Sequence, residues 1–384
     1  MEMIEKADVV IIGGGVVGTS TAYHLAKRGY RDVVVLEKDL LASGSTGKCA
    51  GGIRQQFSSE SNIKISMESV RFFERFSEEM EAEIDFRQYG YLFLATTEAD
   101  WEDFQANVSL QRSLGLEVDL LSAAEIREIA PYLCLDDIIG GTFCPTDGYA
   151  DPHSVAMGFA KEARRLGTRI YERTEALGIK TRGGRVEGVV TDKGEIAAPV
   201  VVNAAGPWAA QVGRMAGVEL PIKPYRRQIF VTAPFEEMPQ RLPMVIDFAP
   251  SLYFRREGPG ILMGMSDKEE PPSFNTNVGW DFLTRVVEKA MHRAPVLEKA
   301  GFMDGWAGLY EITPDDNPII GGDIGGVEGF YCAGGFSGHG FMQSPAVGRI
   351  LADLIASGET DIDLRPFALE RFEAGVVEGE RRVI

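Results

Sequence analysis

Residues 7–37 read ADVVIIGGGVVGTSTAYHLAKRGYRDVVVLE, and the order of residue types in this stretch decides the architecture. Ala7–Ile12 is a short apolar run, β-branched at its centre, that ends on three glycines. A helical pattern follows from Val17 to Arg28 and stops at Gly29. A second apolar run, Asp32–Leu36, is closed by Glu37. Strand, glycine turn, helix and strand within about thirty residues form a βαβ unit. Inside it lies Gly13-x-Gly15-x-x-Gly18. The first glycine permits the tight turn, the second lets the main chain approach a pyrophosphate, and the third lets the helix pack on the strand. The helix start at Val16 and Val17 then offers its N–H groups and positive dipole end to phosphates. Glu37, nineteen residues after Gly18, is placed to accept hydrogen bonds from a ribose, with Lys38 beside it. The fingerprint predicts a dinucleotide site and does not distinguish NAD from FAD.

Outward from this unit, similar segments recur. Residues 199–204 (PVVVNA) predict a buried strand followed by AGPWA, and 330–333 a last strand followed by a glycine-rich turn and a helix over 340–355. Between them lie other patterns. Residues 58–80 carry apolar side chains at Ile63, Met67, Val70, Phe73 and Phe76, the spacing of one amphipathic helix. Residues 90–96, 221–232 and 251–264 read as strands of an antiparallel sheet, and 101–114, 122–129, 151–166 and 278–291 as helices. The expected class is therefore α/β: a discontinuous, Rossmann-like nucleotide domain interrupted by insertions that build a second domain, mostly antiparallel sheet with flanking helices.

Composition narrows the function classes. A chain of 384 residues with net charge −18 repels phosphate backbones and anionic lipid, so no nucleic-acid partner is expected. Cys49, Cys134, Cys144 and Cys332 form no CxxC pair, so neither a metal ribbon nor an iron–sulfur cluster is signalled. No apolar run approaches the length of a membrane span, and the N-terminus lacks signal-peptide features; a cytoplasmic protein is expected.

Four further stretches carry a resemblance: 43–57 (SGSTGKCAGGIRQQF), 201–208 (VVNAAGPW), 313–321 (TPDDNPIIG) and 334–348 (GGFSGHGFMQSPAVG). With the glycine fingerprint, and in this order along the whole chain, they resemble the FAD-dependent D-amino acid oxidase superfamily. That superfamily includes sarcosine oxidases, glycine oxidase, dimethylglycine dehydrogenase and the β subunits of dye-linked L-proline dehydrogenase. The resemblance implies an FAD domain from 1–85, 146–219 and 322–384 and a substrate domain from 86–145 and 220–321. It implies flavin contacts at Ser45 and Thr46, along Cys49, Ala50 and Gly51, at Ala205, Gly206 and Trp208, at Gly308, and along Gly335, Ser337, Gly338, His339, Gly340, Phe341 and Met342. It also implies oxidation of a small amino acid at its C–N bond, with the imine product hydrolysed in water.

Departures from the resembled pattern sharpen these expectations. Lys48 stands where dimethylglycine dehydrogenase has a flavin-linked His, and Gly308 where monomeric sarcosine oxidase has a flavin-linked Cys, so the FAD is expected to be non-covalent. Oxidase-type relatives carry a Lys over the flavin, where Leu262 or Met263 stands here, and a Lys after GHGF, where Met342 stands. A dehydrogenase passing electrons to another acceptor or a partner subunit is therefore expected, with a peroxide-forming oxidase as the alternative. Arg54 is the expected carboxylate anchor, since a guanidinium offers a planar fork. Tyr253 is the expected roof of the pocket, with Arg255 on its side of the strand and Phe254 opposite. Arg227 aligns with a pocket His of the proline enzyme, and His339 is expected to position rather than act as a base. Proline, sarcosine or dimethylglycine is the expected type of substrate.

Overall fold

The computed structural model describes residues 6–373 and 379–381. Val9–Ile12 is buried throughout and pairs in parallel with Val33–Leu36 on one side and Val200–Asn203 on the other. The run is β-branched because both faces of a central parallel strand are covered. Around it a six-stranded sheet forms in the spatial order Ile319–Gly321, Phe330–Gly334, Val200–Asn203, Val9–Ile12, Val33–Leu36, Arg169–Tyr171. Only Ile319–Gly321 runs antiparallel. Helices Val16–Lys27, Gly340–Ser357, Pro152–Arg165 and Glu60–Glu74 cover one face. A three-stranded sheet, Ala176–Arg182, Arg185–Thr191 and Gly194–Ala197, covers the other with helix Ala209–Met215.

The second sheet has eight strands, ordered Phe302–Ile312, Lys223–Thr232, Gly260–Met265, Leu252–Glu257, Met244–Asp247, Tyr91–Ala95, Gly140–Cys144, Asp119–Leu121. All neighbours are antiparallel except Met244–Asp247 beside Tyr91–Ala95. Alternation along Leu252–Glu257 separates its side chains: Phe254 packs with Phe282 and Val286 of helix Trp280–Arg293, while Tyr253 packs with Ile229, Ile246 and Leu262 on the opposite face. That opposite face looks toward the first domain.

Three sequence expectations need correction. The helix over 58–80 is two helices, Glu60–Glu74 and Phe76–Met80, broken at Arg75, where φ −109° and ψ 11° depart from helical values. Ile319–Gly321 belongs to the first sheet, so the chain leaves the second domain before 319 rather than at 321. Phe302–Ile312 is an eleven-residue edge strand that the pattern did not announce, because Gly305 and Gly308 interrupt it and its first residues are exposed.

Candidate functional site

A cavity of about 460 Å³ opens at the carboxyl ends of Val9–Ile12 and Val33–Leu36, where the order of parallel strands reverses. Gly13 sits at φ +117°, and a Cβ there would lie 2.3 Å from the Ala204 carbonyl oxygen. Gly15, Val16 and Val17 line the cavity; Gly18 does not, since a Cβ on it would fall 2.0 Å from the Gly13 carbonyl oxygen, making it the helix–strand packing residue. Glu37 lines the cavity with its carboxylate accepting from the Gly14 N–H at 2.8 Å and the Asp39 N–H at 2.8 Å. Thr46 Oγ1 accepts from the Val16 N–H at 3.0 Å, and Ser45 Oγ donates to the Leu309 carbonyl at 2.7 Å. Lys38 places its ammonium 3.2 Å from the Trp208 ring centre, and Trp208 stacks on Phe274 at 5.4 Å. Ala205, Gly206 and Gly308 complete this wall.

The cavity meets a second helix start. Gly338, Gly340 and Phe341 line it at the head of helix Gly340–Ser357, which has neither a side-chain cap on His339 nor an acid in its first turn. Helix Val16–Lys27 likewise begins at an uncapped Gly15 with no acid in its first turn. Two helix starts without an acid or a side-chain cap on the N-cap residue, facing one elongated cavity, suit a group carrying negative charge at two places. Gly335 lies off the cavity: at φ +77° it turns the chain beneath Thr313.

Beyond this cavity, and sharing Cys49, Ala50, Tyr253, Tyr310, Gly338 and Phe341 with it, lies a chamber of about 70 Å³. Its wall includes Gly51, Arg54, Tyr91, Met244, Ile246, Ser337, His339 and Met342. Arg54 is 3% exposed. Its guanidinium stacks 4.0 Å from the Phe57 ring centre, donates to the Gln56 carbonyl at 2.7 Å, and lies 3.3 Å from His339 Nε2. Arginine has only donors, so Nε2 must accept and the proton sits on Nδ1. Burial, with Arg54 adding to it, holds the His339 pKa well below its ordinary value and keeps the ring neutral. His339 therefore orients Arg54 and is not poised to take a proton from it.

Tyr253 roofs the chamber, its pKa raised by burial. Its hydroxyl lies over Gly264, where a Cβ would come within 2.3 Å. Arg227 lines the larger cavity from the strand beside it, 5.2 Å from the Tyr310 ring centre. Cys49 is half-buried on the shared wall, and burial pushes its thiol up to about 11, so it is not a ready thiolate. Leu262, not Met263, is on the cavity side of its strand.

Sequence reasoning missed Gly52, four larger wall residues and a support. Tyr310, Tyr91, Met244 and Ile246 face the chamber. Tyr310 follows Trp306 and Gly308 at period two along Phe302–Ile312, a signal that alternation would have supplied. The support is Asp147, fully buried, which accepts from the Gln55 N–H at 2.9 Å, Gln55 Nε2 at 3.0 Å and Gln56 Nε2 at 3.1 Å. Burial raises its pKa to about 6 against these hydrogen bonds. It ties down the loop that carries Arg54. Among the described residues no cluster of three or more His, Cys, Asp or Glu is placed to hold a metal, and no helix is long and apolar enough to cross a membrane.

Fold and site together define a two-domain dinucleotide-binding protein with a small chamber contiguous with the dinucleotide cavity. The family model described as FAD dependent oxidoreductase matches residues 8–354, and the chain belongs to that family. It is 36% identical over 383 residues to the mitochondrial dimethylglycine dehydrogenase of Rattus norvegicus, covering 94% of this chain and 44% of that protein. The chain thus spans less than half the length of this curated relative. Among solved structures it is similar to L-proline dehydrogenase from P. horikoshii, with a TM-score of 0.92, 37% identity and coverage of 98% of this chain and 100% of that one. Glycine oxidase from Geobacillus kaustophilus gives a TM-score of 0.87 at 28% identity, covering 96% of this chain and 99% of that one.

Proposed function

We propose that this protein oxidises the C–N bond of a small, N-substituted amino acid of the type of proline, sarcosine or dimethylglycine, using non-covalent FAD and passing the electrons to an acceptor other than oxygen. One observation carries the proposal: a buried guanidinium, oriented by a neutral imidazole, lies in a small chamber contiguous with the dinucleotide cavity. Arg54 would hold the substrate carboxylate, and Tyr253, Tyr310 and Met342 would exclude water around the amine. Bound FAD supplies the acceptor for the hydride that leaves the substrate carbon. The nitrogen lone pair becomes the second bond of an iminium ion, and water then hydrolyses that ion to a carbonyl compound and an amine, releasing a proton to solvent. No side chain need take a proton if the amine arrives neutral, which fits the neutral His339. The start of helix Gly340–Ser357 faces the cavity where negative charge would develop on electron uptake, and its dipole favours that charge.

Two features support the finer points. A Cβ on Gly308 would lie 3.0 Å from Lys48 Cβ, so the two positions at which the resembled enzymes link their flavin are neighbours on one wall. Neither bears a His or Cys here. The two lysines of oxidase-type relatives are replaced by Leu262 and Met342, both buried and apolar. The test is flavin bleaching by a panel of amino and imino acids without oxygen, followed by admission of air. Bleaching with slow reoxidation is expected; rapid reoxidation with peroxide would remove the dehydrogenase assignment. Acid precipitation should leave the yellow colour in the supernatant.

A further inference from the structure

Arg227 differs from the other arginines of the second sheet and its covering helix: Arg256, which also lacks an acid partner, donates to the carbonyls of Phe235, Met238, Pro239 and Pro259, whereas Arg227 keeps an unmet N–H. Its neighbour Arg226 is paired with Glu270 at 2.7 Å, Arg255 with Glu257 at 2.7 Å, and Arg293 with Asp137 and Asp247, both at 2.8 Å. Arg227 forms no ion pair among the described residues. Its Nη1 donates to the carbonyl of Arg226 at 2.9 Å, and its Nε–H is buried without a partner. A buried guanidinium N–H left unpaired is costly, and such a group retained on a cavity wall points to a ligand that completes it.

Its direction is fixed by the strand. Ile229 and Val231, two and four residues on, lie on the cavity face, and Phe230 on the helix face. Arg227 therefore shares the face of Tyr253 and projects into the cavity. Opposite it in register stands Gly308, which has no side chain to cover it. Tyr310 links the surroundings of the two guanidiniums: Arg227 is over its ring, while the hydroxyl end of the ring meets Gly338, next to the His339 that touches Arg54. Tyr310 thus belongs to both spaces, with Arg54 on the wall of the chamber and Arg227 on the wall of the wider cavity.

We infer that Arg227 is a second anion anchor, and that the substrate is an amino acid bearing two carboxylates, the first on Arg54 and the second on Arg227. This rests on the amino acid oxidation proposed above and replaces its monocarboxylate examples with an amino acid that carries a second carboxylate. The second carboxylate takes part in no bond change; it fixes the distal end of the substrate so that the reacting C–H is held in one place.

The test uses the FAD-loaded protein and reads binding apart from turnover. Glutarate, which has no amine to oxidise, and its monoamide are titrated while the flavin spectrum is followed. Glutarate is expected to bind at least roughly tenfold more tightly, the range for one charge-assisted hydrogen-bond pair. Arg227→Gln should erase that preference, and Arg227→Lys should retain part of it. In parallel, N-methylaspartate should bleach the flavin at lower concentration than N-methylasparagine. Equal affinity for glutarate and its monoamide overturns the inference, and so does loss of bound FAD from Arg227→Gln, which would assign the guanidinium to the cofactor. If no amine bleaches the flavin while glutarate preference persists, the anchor stands and the amine oxidation falls.

Discussion

The dinucleotide cavity and the chamber beyond it are walled by different parts of the chain. Main chain builds the first: Gly13, Gly15 and Gly338 are shaped by what a Cβ would strike, and two helix starts aim N–H groups inward. Side chains build the second: Arg54 from a loop, Tyr253 and Tyr310 from two strands of the second sheet, and His339 from the turn before the last helix. A main-chain wall holds any molecule with the right phosphates, whatever the substrate. A side-chain wall is where one relative differs from the next. The comparison predicts that damage to the chamber changes turnover and spares the cofactor, whereas damage to the cavity does the reverse.

The largest separation should come from Arg54→Ala. Removing a buried, hydrogen-bonded cation from the proposed carboxylate site costs about 3–5 kcal/mol, or roughly two to four orders of magnitude in kcat/KM. Flavin content should remain that of the parent. If Arg54→Ala instead purifies colourless, the two regions are not separable. Gly18→Ala is the reciprocal test. The new Cβ would sit 2.0 Å from the Gly13 carbonyl oxygen and would force the turn apart. A loss of about 1–3 kcal/mol is expected, seen as a lower Tm and FAD released on gel filtration. A variant that keeps both would show that the turn yields without consequence.

The same difference explains what could be read in the sequence. The main-chain wall is local: strand, three glycines, helix and Glu37 fall within 9–37, so spacing alone located it. Arg54, Tyr253 and His339 were found only through motifs around them, and the structure brings Arg54 and His339 together across 285 positions of chain. Tyr310, Tyr91, Met244 and Ile246 were missed because no local pattern says which face of a strand meets a cavity built by another domain. Register decides that, as the pairing of Arg227 with Gly308 and of Tyr253 with Gly264 shows. Asp147 was missed because a lone acid in a turn looks like any other, until burial and three donors show what it holds.

Within the chamber, His339 tests whether orientation can be separated from anchoring. A glutamine carbonyl can accept from Arg54 but lacks the rigid ring that fixes the acceptor, so His339→Gln should raise KM by less than roughly tenfold, with a smaller change in kcat. Stability should respond to pH as well. The folded protein holds His339 well below its ordinary 6.5, and burial holds His24 near 3. The unfolded chain takes up protons at both as pH falls below about 6.5, and the folded chain does not. The contribution of the two histidines to stability is therefore full above that pH and declines below it, while Asp147, raised to about 6, contributes in the opposite direction as pH falls. Between pH 7 and pH 5 the urea midpoint of the parent should fall relative to that of His339→Gln; equal slopes would mean that His339 is protonated in the fold.

Tyr253→Phe should have the smallest effect, and it probes the roof without disturbing the guanidinium. The ring packs with Ile229, Ile246 and Leu262, and phenylalanine retains that contact. Only the hydroxyl over Gly264 is lost, a group with no hydrogen-bond partner among the described residues. If that hydroxyl does no more than fill space, KM should rise by no more than roughly threefold, less than one hydrogen bond's worth. A rise of tenfold or more would mean that the hydroxyl bonds to bound substrate. The chamber would then recognise its ligand from the roof as well as from Arg54, and the contrast with the main-chain cavity would be sharper than the two guanidiniums alone make it.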